Sequence, residues 1–173
     1  ENLLSKIKVE VEDNSLKIYI EKGTQIRTSA GHKIEITVPF EKISELSLAG
    51  SGDIISSFTL KSDQFKMSLA GSGDIKLQIE ANTIEAKLAG SGDIVLKGIT
   101  ENLEASVAGS GDINAFDLVA QNSKVNVSGS GNISTNCSEF IEARVAGSGD
   151  IEYKGKPKKV DTKVAGSGKI KMI

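Results

Sequence analysis

The tripeptide Gly-Ser-Gly occurs seven times in 173 residues, beginning at Gly50, Gly71, Gly90, Gly109, Gly129, Gly147 and Gly166. Successive copies are 21, 19, 19, 20, 18 and 19 residues apart. A period near 20 is the signature of a solenoid, in which each repeat is one supersecondary unit that buries its apolar side only against its neighbours. Fourteen of the 18 glycines lie in these tripeptides; a chain of this length would ordinarily carry about 12 in all. The stretches are not flexible linker, because apolar residues recur in fixed columns around each glycine pair.

The residue after each tripeptide is Asp53, Asp74, Asp93, Asp112, Asn132, Asp150 or Lys169, and the next is isoleucine every time, from Ile54 to Ile170. Two places on come Ser56, Leu77, Leu96, Ala115, Thr135, Tyr153 and Met172, a weaker inward column. Before the turn, Leu48, Leu69, Leu88, Val107, Val127, Val145 and Val164 form a wholly apolar column. Two positions earlier lie Leu46, Met67, Ala86, Ala105, Val125, Ala143 and Thr162, with polar residues such as Ser47, Lys87, Arg144 and Lys163 between. Alternation with a period of two on both sides of a glycine corner means strand, tight turn, strand. Helix is excluded, since the apolar stripe has the wrong period and glycine interrupts it every turn.

At about 3.3 Å per residue, a 19-residue coil has a perimeter near 60 Å, and seven coils stacked about 4.8 Å apart make a rod of roughly 34 Å. The expected fold is all-β, a right-handed parallel β-helix of about seven coils, the hand following from the rule for parallel crossovers. A left-handed hexapeptide helix would need a six-residue submotif, which is absent. Residues 1–42 lie outside the repeat. There Ile7, Val9 and Val11 alternate, Asp13-Asn14-Ser15 turns, and Leu16, Ile18 and Ile20 alternate again, a hairpin signal. Ile34, Ile36 and Val38 suggest a further strand ending at Pro39. These strands are the expected N-terminal cap over the first coil. The organisation expected is a single domain, 1–173, with cap strands over 1–42 and the solenoid over 43–173.

Repeated Leu/Val-Ala-Gly-Ser-Gly-Asp-Ile after a strand pair like Ile7–Ile20 resembles the putative auto-transporter adhesin, head GIN domain family. The resemblance implies a right-handed β-helix on bacterial cell-envelope proteins, in the periplasm or on the outer surface, often exported as lipoproteins. It carries no catalytic or binding residues with it. A start at Glu1 with neither Met nor an apolar leader reads as an exported chain whose signal is removed or not included.

Composition excludes several classes. Lysine and arginine total 21 against 23 acidic residues, without the basic surplus of a nucleic-acid binder. No apolar run reaches the roughly 18 residues of a membrane span. Aromatics are 4% and tryptophan is absent, thin for base or sugar stacking. One cysteine and one histidine exclude a disulfide framework and a histidine-rich metal site.

The aspartate column is the most suggestive feature. Asp53, Asp74, Asp93 and Asp112 should stack in successive coils, where like charges about 5 Å apart repel by roughly 0.8 kcal/mol per pair in water. Calcium bound by several carboxylates would offset this. So would Asx-type capping, each carboxylate accepting backbone N–H bonds from its own glycine turn. Asn132 and Lys169 break the column, and the nine-residue tandem spacing of calcium-binding β-rolls is missing, so the structural reading is preferred and no cofactor is expected. The tripeptides themselves, Gly50-Ser51-Gly52, Gly71-Ser72-Gly73, Gly90-Ser91-Gly92 and Gly109-Ser110-Gly111 with their later copies, read as a structural turn ladder with hydrogen-bonded serines.

No catalytic residue is expected. A serine nucleophile elbow needs glycines two residues either side and a following helix, and His32 cannot serve seven equivalent serines. Polysaccharide-cleaving β-helices need clefts built by long loops, for which spacings of 18–21 leave no room; Arg27 and Arg144 are the only arginines. An ice-binding face would need a Thr-x-Thr array, which is absent. From Ile151 to Ile173 there are seven lysines against Glu152 and Asp161, leaving −7 for residues 1–150 out of the chain's −2. This basic end suits either contact with lipid or polysaccharide phosphate or protection of the last, neighbourless strand edge, and edge protection is preferred. Cys137 falls near an inward position and reads as core. The expected function is non-enzymatic: an adhesin or ligand-presenting module binding glycan or a surface protein through a polar ladder face. The alternative is a structural spacer or self-associating domain.

Overall fold

The computed structural model describes residues 4–24 and 33–173. They fall into two compact units, Glu1–Pro39 and Phe40–Ile173.

In the first unit a single 3-10 turn, Leu4–Lys6, leads into an antiparallel hairpin of β1 (Ile7–Glu12) and β2 (Ser15–Ile20), in which Val9 faces Ile18 and Val11 faces Leu16. The loop is only Asp13-Asn14, both at positive φ (47° and 61°), the type I′ geometry that matches strand twist; Ser15 is already in the strand. The strand expected over Ile34, Ile36 and Val38 does not form: among the described residues no ladder includes 33–39. Alternation specifies which side chains share a face but supplies no neighbouring edge, and without one the segment stays outside any sheet.

The second unit is a β-solenoid of about seven turns. Its strands are β3 (Glu45–Gly50), β4 (Asp53–Ile55), β5 (Leu60–Gly71), β6 (Asp74–Gly90), β7 (Asp93–Gly109), β8 (Ile113–Gly129), β9 (Ile133–Gly147), β10 (Ile151–Lys154), β11 (Lys159–Gly166) and β12 (Ile170–Met172). Every pairing is parallel, and the coil of β6 lies on that of β7 in register: Asp74 on Asp93, Leu88 on Val107, Gly90 on Gly109; further along, the register shifts between Val95 and Lys97 and between Ala115 and Val119, then resumes through the second run. Strands β6, β7 and β8 each run 17 residues without a break, rounding the far bend near Asn82, Glu101 and Gln121.

Each coil has two runs whose inward rows meet. In the coil of β6, Ile75, Leu77 and Ile79 from the first run close against Ile84, Ala86 and Leu88 from the second. The isoleucine column is buried from Ile75 through Ile151, and the Leu/Val column from Leu69 through Val145. Burial fades toward the ends, at Leu46, Leu48 and Ile54 in the first coil and at Tyr153, Val164, Ile170 and Met172 in the last two. A fully buried Leu or Ile side chain contributes about 1.5–3 kcal/mol, so the central coils hold most of the stabilisation.

Candidate functional site

The glycine corner is built by backbone. Ser72 and Gly73 N–H both donate to the Gly50 carbonyl, at 2.9 and 3.1 Å, and the same forked bond recurs in every later coil up to Ser167 and Gly168 on Gly147. Glycine is required twice per corner, for two reasons. Gly71 sits at φ 135°, in the region L-residues avoid. Gly73 does not, but a Cβ there would lie 2.0 Å from the Gly52 carbonyl oxygen of the coil below. The serines between them are exposed at every coil. Among the described residues their hydroxyls make no side-chain hydrogen bond, so the ladder expected of the serines is carried by their amides.

The aspartate column forms a second ladder, with a different partner from an Asx turn. The amide of Asp74 donates to Asp53 Oδ1 (3.2 Å), that of Asp93 to Asp74 (3.3 Å) and that of Asp112 to Asp93 (3.2 Å). Asn132 continues it with two bonds, backbone N–H (2.8 Å) and Nδ2 (2.9 Å), both to Asp112 Oδ1. Asp150 N–H donates to Asn132 Oδ1 and Lys169 N–H to Asp150 Oδ1. Each side chain thus accepts from the coil above rather than from its own turn, and the donated amides offset the stacking of like charges. Asn132 fits because its amide oxygen accepts equally well; Lys169 has no acceptor and ends the column. Among the described residues no group of three or more His, Cys, Asp or Glu is placed to hold a metal ion.

The outward rows of the second run form a flat face with three columns, and their register is continuous from β3 to β11. The outermost holds Glu45, Lys66, Glu85, Glu104, Lys124, Glu142 and Asp161. The middle one holds Ser47, Ser68, Lys87, Ser106, Asn126, Arg144 and Lys163. The third, beside the glycine corner, is small throughout: Ala49, Ala70, Ala89, Ala108, Ser128, Ala146 and Ala165, all exposed. Reading only inward columns misses it, although the alanine before every Gly-Ser-Gly is visible in the repeat.

These small side chains make a trough beside the taller polar row. Over Val127 and Val145, the residues Asn126, Ser128, Arg144, Ala146, Lys163 and Ala165 line a shallow depression. Charges on the face are mostly paired across columns and coils. Lys87 bonds Glu85, which holds the Glu85 carboxyl below its ordinary range. Arg144 clamps Asp161 through two parallel bonds (3.0 and 2.7 Å) that lower the Asp161 carboxyl and raise the guanidinium. Ser47 and Ser68 hydrogen-bond at 2.8 Å.

Among the described residues the remaining candidates are not brought together. His32 and Arg27 lie outside the described residues, and Arg144 is committed to Asp161 on the second run, away from the aspartate column that opens the first. Cys137 is 1% exposed, and burial pushes its thiol up, with a hydrogen bond from Ser123 acting the other way. It belongs to a small buried polar group in which the Ser123 and Thr135 hydroxyls bond at 3.0 Å. Ser123 stands in a column otherwise filled by Phe65, Ile84, Leu103 and Ile141.

A parallel β-solenoid with glycine-cornered coils, an amide-carboxylate ladder and a polar outer face defines a class of repeat scaffold. Residues 1–157 match the family model described as "Putative auto-transporter adhesin, head GIN domain", and the chain belongs to that family, as its repeat motif implied. A putative adhesin from Bacteroides fragilis is 32% identical, with a TM-score of 0.88 over 99% of this chain and 78% of that one. A putative lipid binding protein from Parabacteroides distasonis is 29% identical, with a TM-score of 0.76 over 99% of this chain and 80% of that one. A putative adhesin from Parabacteroides merdae, 22% identical with a TM-score of 0.73 over all of this chain and 80% of that one, shares the fold. No curated protein matches the chain.

Proposed function

We propose that the chain is a non-enzymatic adhesion or ligand-presenting module of the bacterial cell envelope that binds glycan or a surface protein on the flat face of the second run. The observation that carries this reading is the alanine trough beside the Ser47-to-Lys163 row. It gives an extended ligand van der Waals access to the sheet along one side and a repeated series of hydroxyl, amide and cationic groups along the other. The family's adhesin name and the adhesin relative from B. fragilis support the class of function. The solenoid interior is filled by its own side chains, from Phe65 to Ile151, which favours a partner held outside over a lipid held within.

A glycan and matrix-protein array, run with calcium and again with chelator, tests the reading. Binding that survives chelation and is lost in Ala108→Arg, which fills the trough at mid-face, is the expected result. Binding that requires calcium would transfer the site to Asp53, Asp74, Asp93 and Asp112. No binding in either buffer would leave a structural spacer as the better account.

A further inference from the structure

On the first run, midway along the solenoid, two large apolar side chains stand outward side by side. Ile99 is 61% and Val119 49% exposed, and the two pair in register on adjacent coils. The rest of their column is polar, with Lys61 and Glu80 below them and Asn136 above. The next outward column holds Lys97 beside Asp117, an exposed ion pair at 3.4 Å. A register shift between Val95 and Lys97 makes this arrangement. Val95 lies on Asn114, so unshifted pairing would set Lys97 on Phe116 and Ile99 on Leu118, whose side chain is fully buried. The extra residue in β8 instead aligns an outward pair of opposite charge with an outward apolar pair, the re-aiming that a bulge performs.

We propose that this patch is a self-recognition surface, on which a second copy of the chain docks face to face about a two-fold axis. The axis runs along the strands, between β7 and β8. It sets Ile99 of each copy opposite Val119 of the other, and Lys97 opposite Asp117. Four apolar side chains then meet beside a ring of four alternating charges. Such an isologous contact needs no complement beyond what the chain already carries. One coil further from the axis, Glu80 faces the uncharged Asn136 of the other copy. Like charges bound the contact, since the same axis brings Asp93 toward Asp112 at the glycine corner and Lys61 toward Lys154 along the solenoid. The contact is therefore confined to the bend side of the four central coils, well below the size of a standard interface, and the dimer is weak and concentration-dependent. A lipid surface is the poorer occupant, because it would strip water from Glu80, Lys97 and Asp117 and return no polar partner.

Sedimentation velocity of the whole chain over a concentration series tests this, with Ile99→Glu, Val119→Lys and an equimolar mixture of the two variants. Both substitutions fall on exposed side chains, and thermal melts that coincide with the native one check that the core is intact. The native chain is expected to dimerise. Each variant alone is expected to associate about a hundredfold more weakly, because two introduced charges would each lie against an apolar side chain. The mixture is expected to recover the dimer. In it the introduced carboxylate of one chain faces the introduced ammonium of the other, while Val119 and Ile99 stay opposite each other at the second contact. A native chain that remains monomeric to about 1 mM, self-association indifferent to both substitutions, or a mixture that stays monomeric would each overturn the proposal. Because the patch lies on the first run and the trough on the second, loss of array binding in Ala108→Arg leaves this result untouched.

Discussion

Val145 and Val164 are the same residue, one coil apart and in register, yet Val145 is 2% exposed and Val164 is 42% exposed. The contrast extends along the coil: Ile151 is fully buried, while Met172, two coil positions further round and one coil up, is 60% exposed. The two coils follow the same repeat, so the difference is not encoded in either. A coil of this kind has no core of its own. Its inward row becomes interior only when another coil lies on each side, which is the nearest-neighbour logic of a solenoid.

The glycines give the sharpest way to break that comparison. Gly92→Ala places a Cβ 1.9 Å from the Gly73 carbonyl oxygen, whereas at Gly52 a Cβ meets nothing within 4 Å and φ is ordinary. The expected cost is more than about 3 kcal/mol for Gly92→Ala and less than about 0.5 kcal/mol for Gly52→Ala, read from denaturant midpoints. Equal costs would mean that corner glycines serve the turn and not the stacking.

Truncation of the inward row ranks next. Ile94→Ala, at a fully buried site, is expected to cost about 2–5 kcal/mol, and Met172→Ala less than about 1 kcal/mol. Thermal melts of the two variants provide the comparison. Asp112→Ala removes the acceptor of two bonds from Asn132 and is expected to cost about 1 kcal/mol, with Asp112→Asn recovering most of it. Recovery by asparagine separates an amide ladder from a cation site, which would need the charge.

Chemistry at Cys137 sharpens the picture of the central coils. With the thiol buried and its ionisation pushed up, a thiol reagent is expected to modify it only after denaturation; rapid labelling of the native chain would show that the coil opens there. The smallest effect is on pH dependence. Asp161 and Glu85 are held below their ordinary values by Arg144 and Lys87, so each contributes stability above the ordinary carboxylate pKa that fades as pH falls through its depressed one. Asp161→Asn should flatten the acid limb of the stability profile slightly, because the pair is exposed and screened.

The inward columns were legible in the sequence because period-two burial and a fixed coil length leave one register for Ile75, Ile94 and Ile113. The family was legible from the same heptapeptide. The partner of each aspartate was not: Asp74 could bond its own turn or the coil above, and only the stacking of Gly71 on Gly50 brings the Asp74 amide to Asp53. The trough was not legible, because alanine is apolar and its outward place at Ala89 or Ala108 follows from pairing, not from composition. The segment from Ile34 to Val38 alternates as clearly as Leu46 and Leu48, but among the described residues no strand lies beside it, whereas Leu69 and its neighbours lie beside those residues.

Amide hydrogen exchange read by mass spectrometry tests most directly whether neighbours on both sides are what makes a coil solid. The account predicts strong protection over β6 to β9, with rapid exchange along β11 and β12 although their repeat is the same. Uniform protection through Met172 in the isolated chain would contradict it, for a coil with one neighbour would then be as stable as a coil with two.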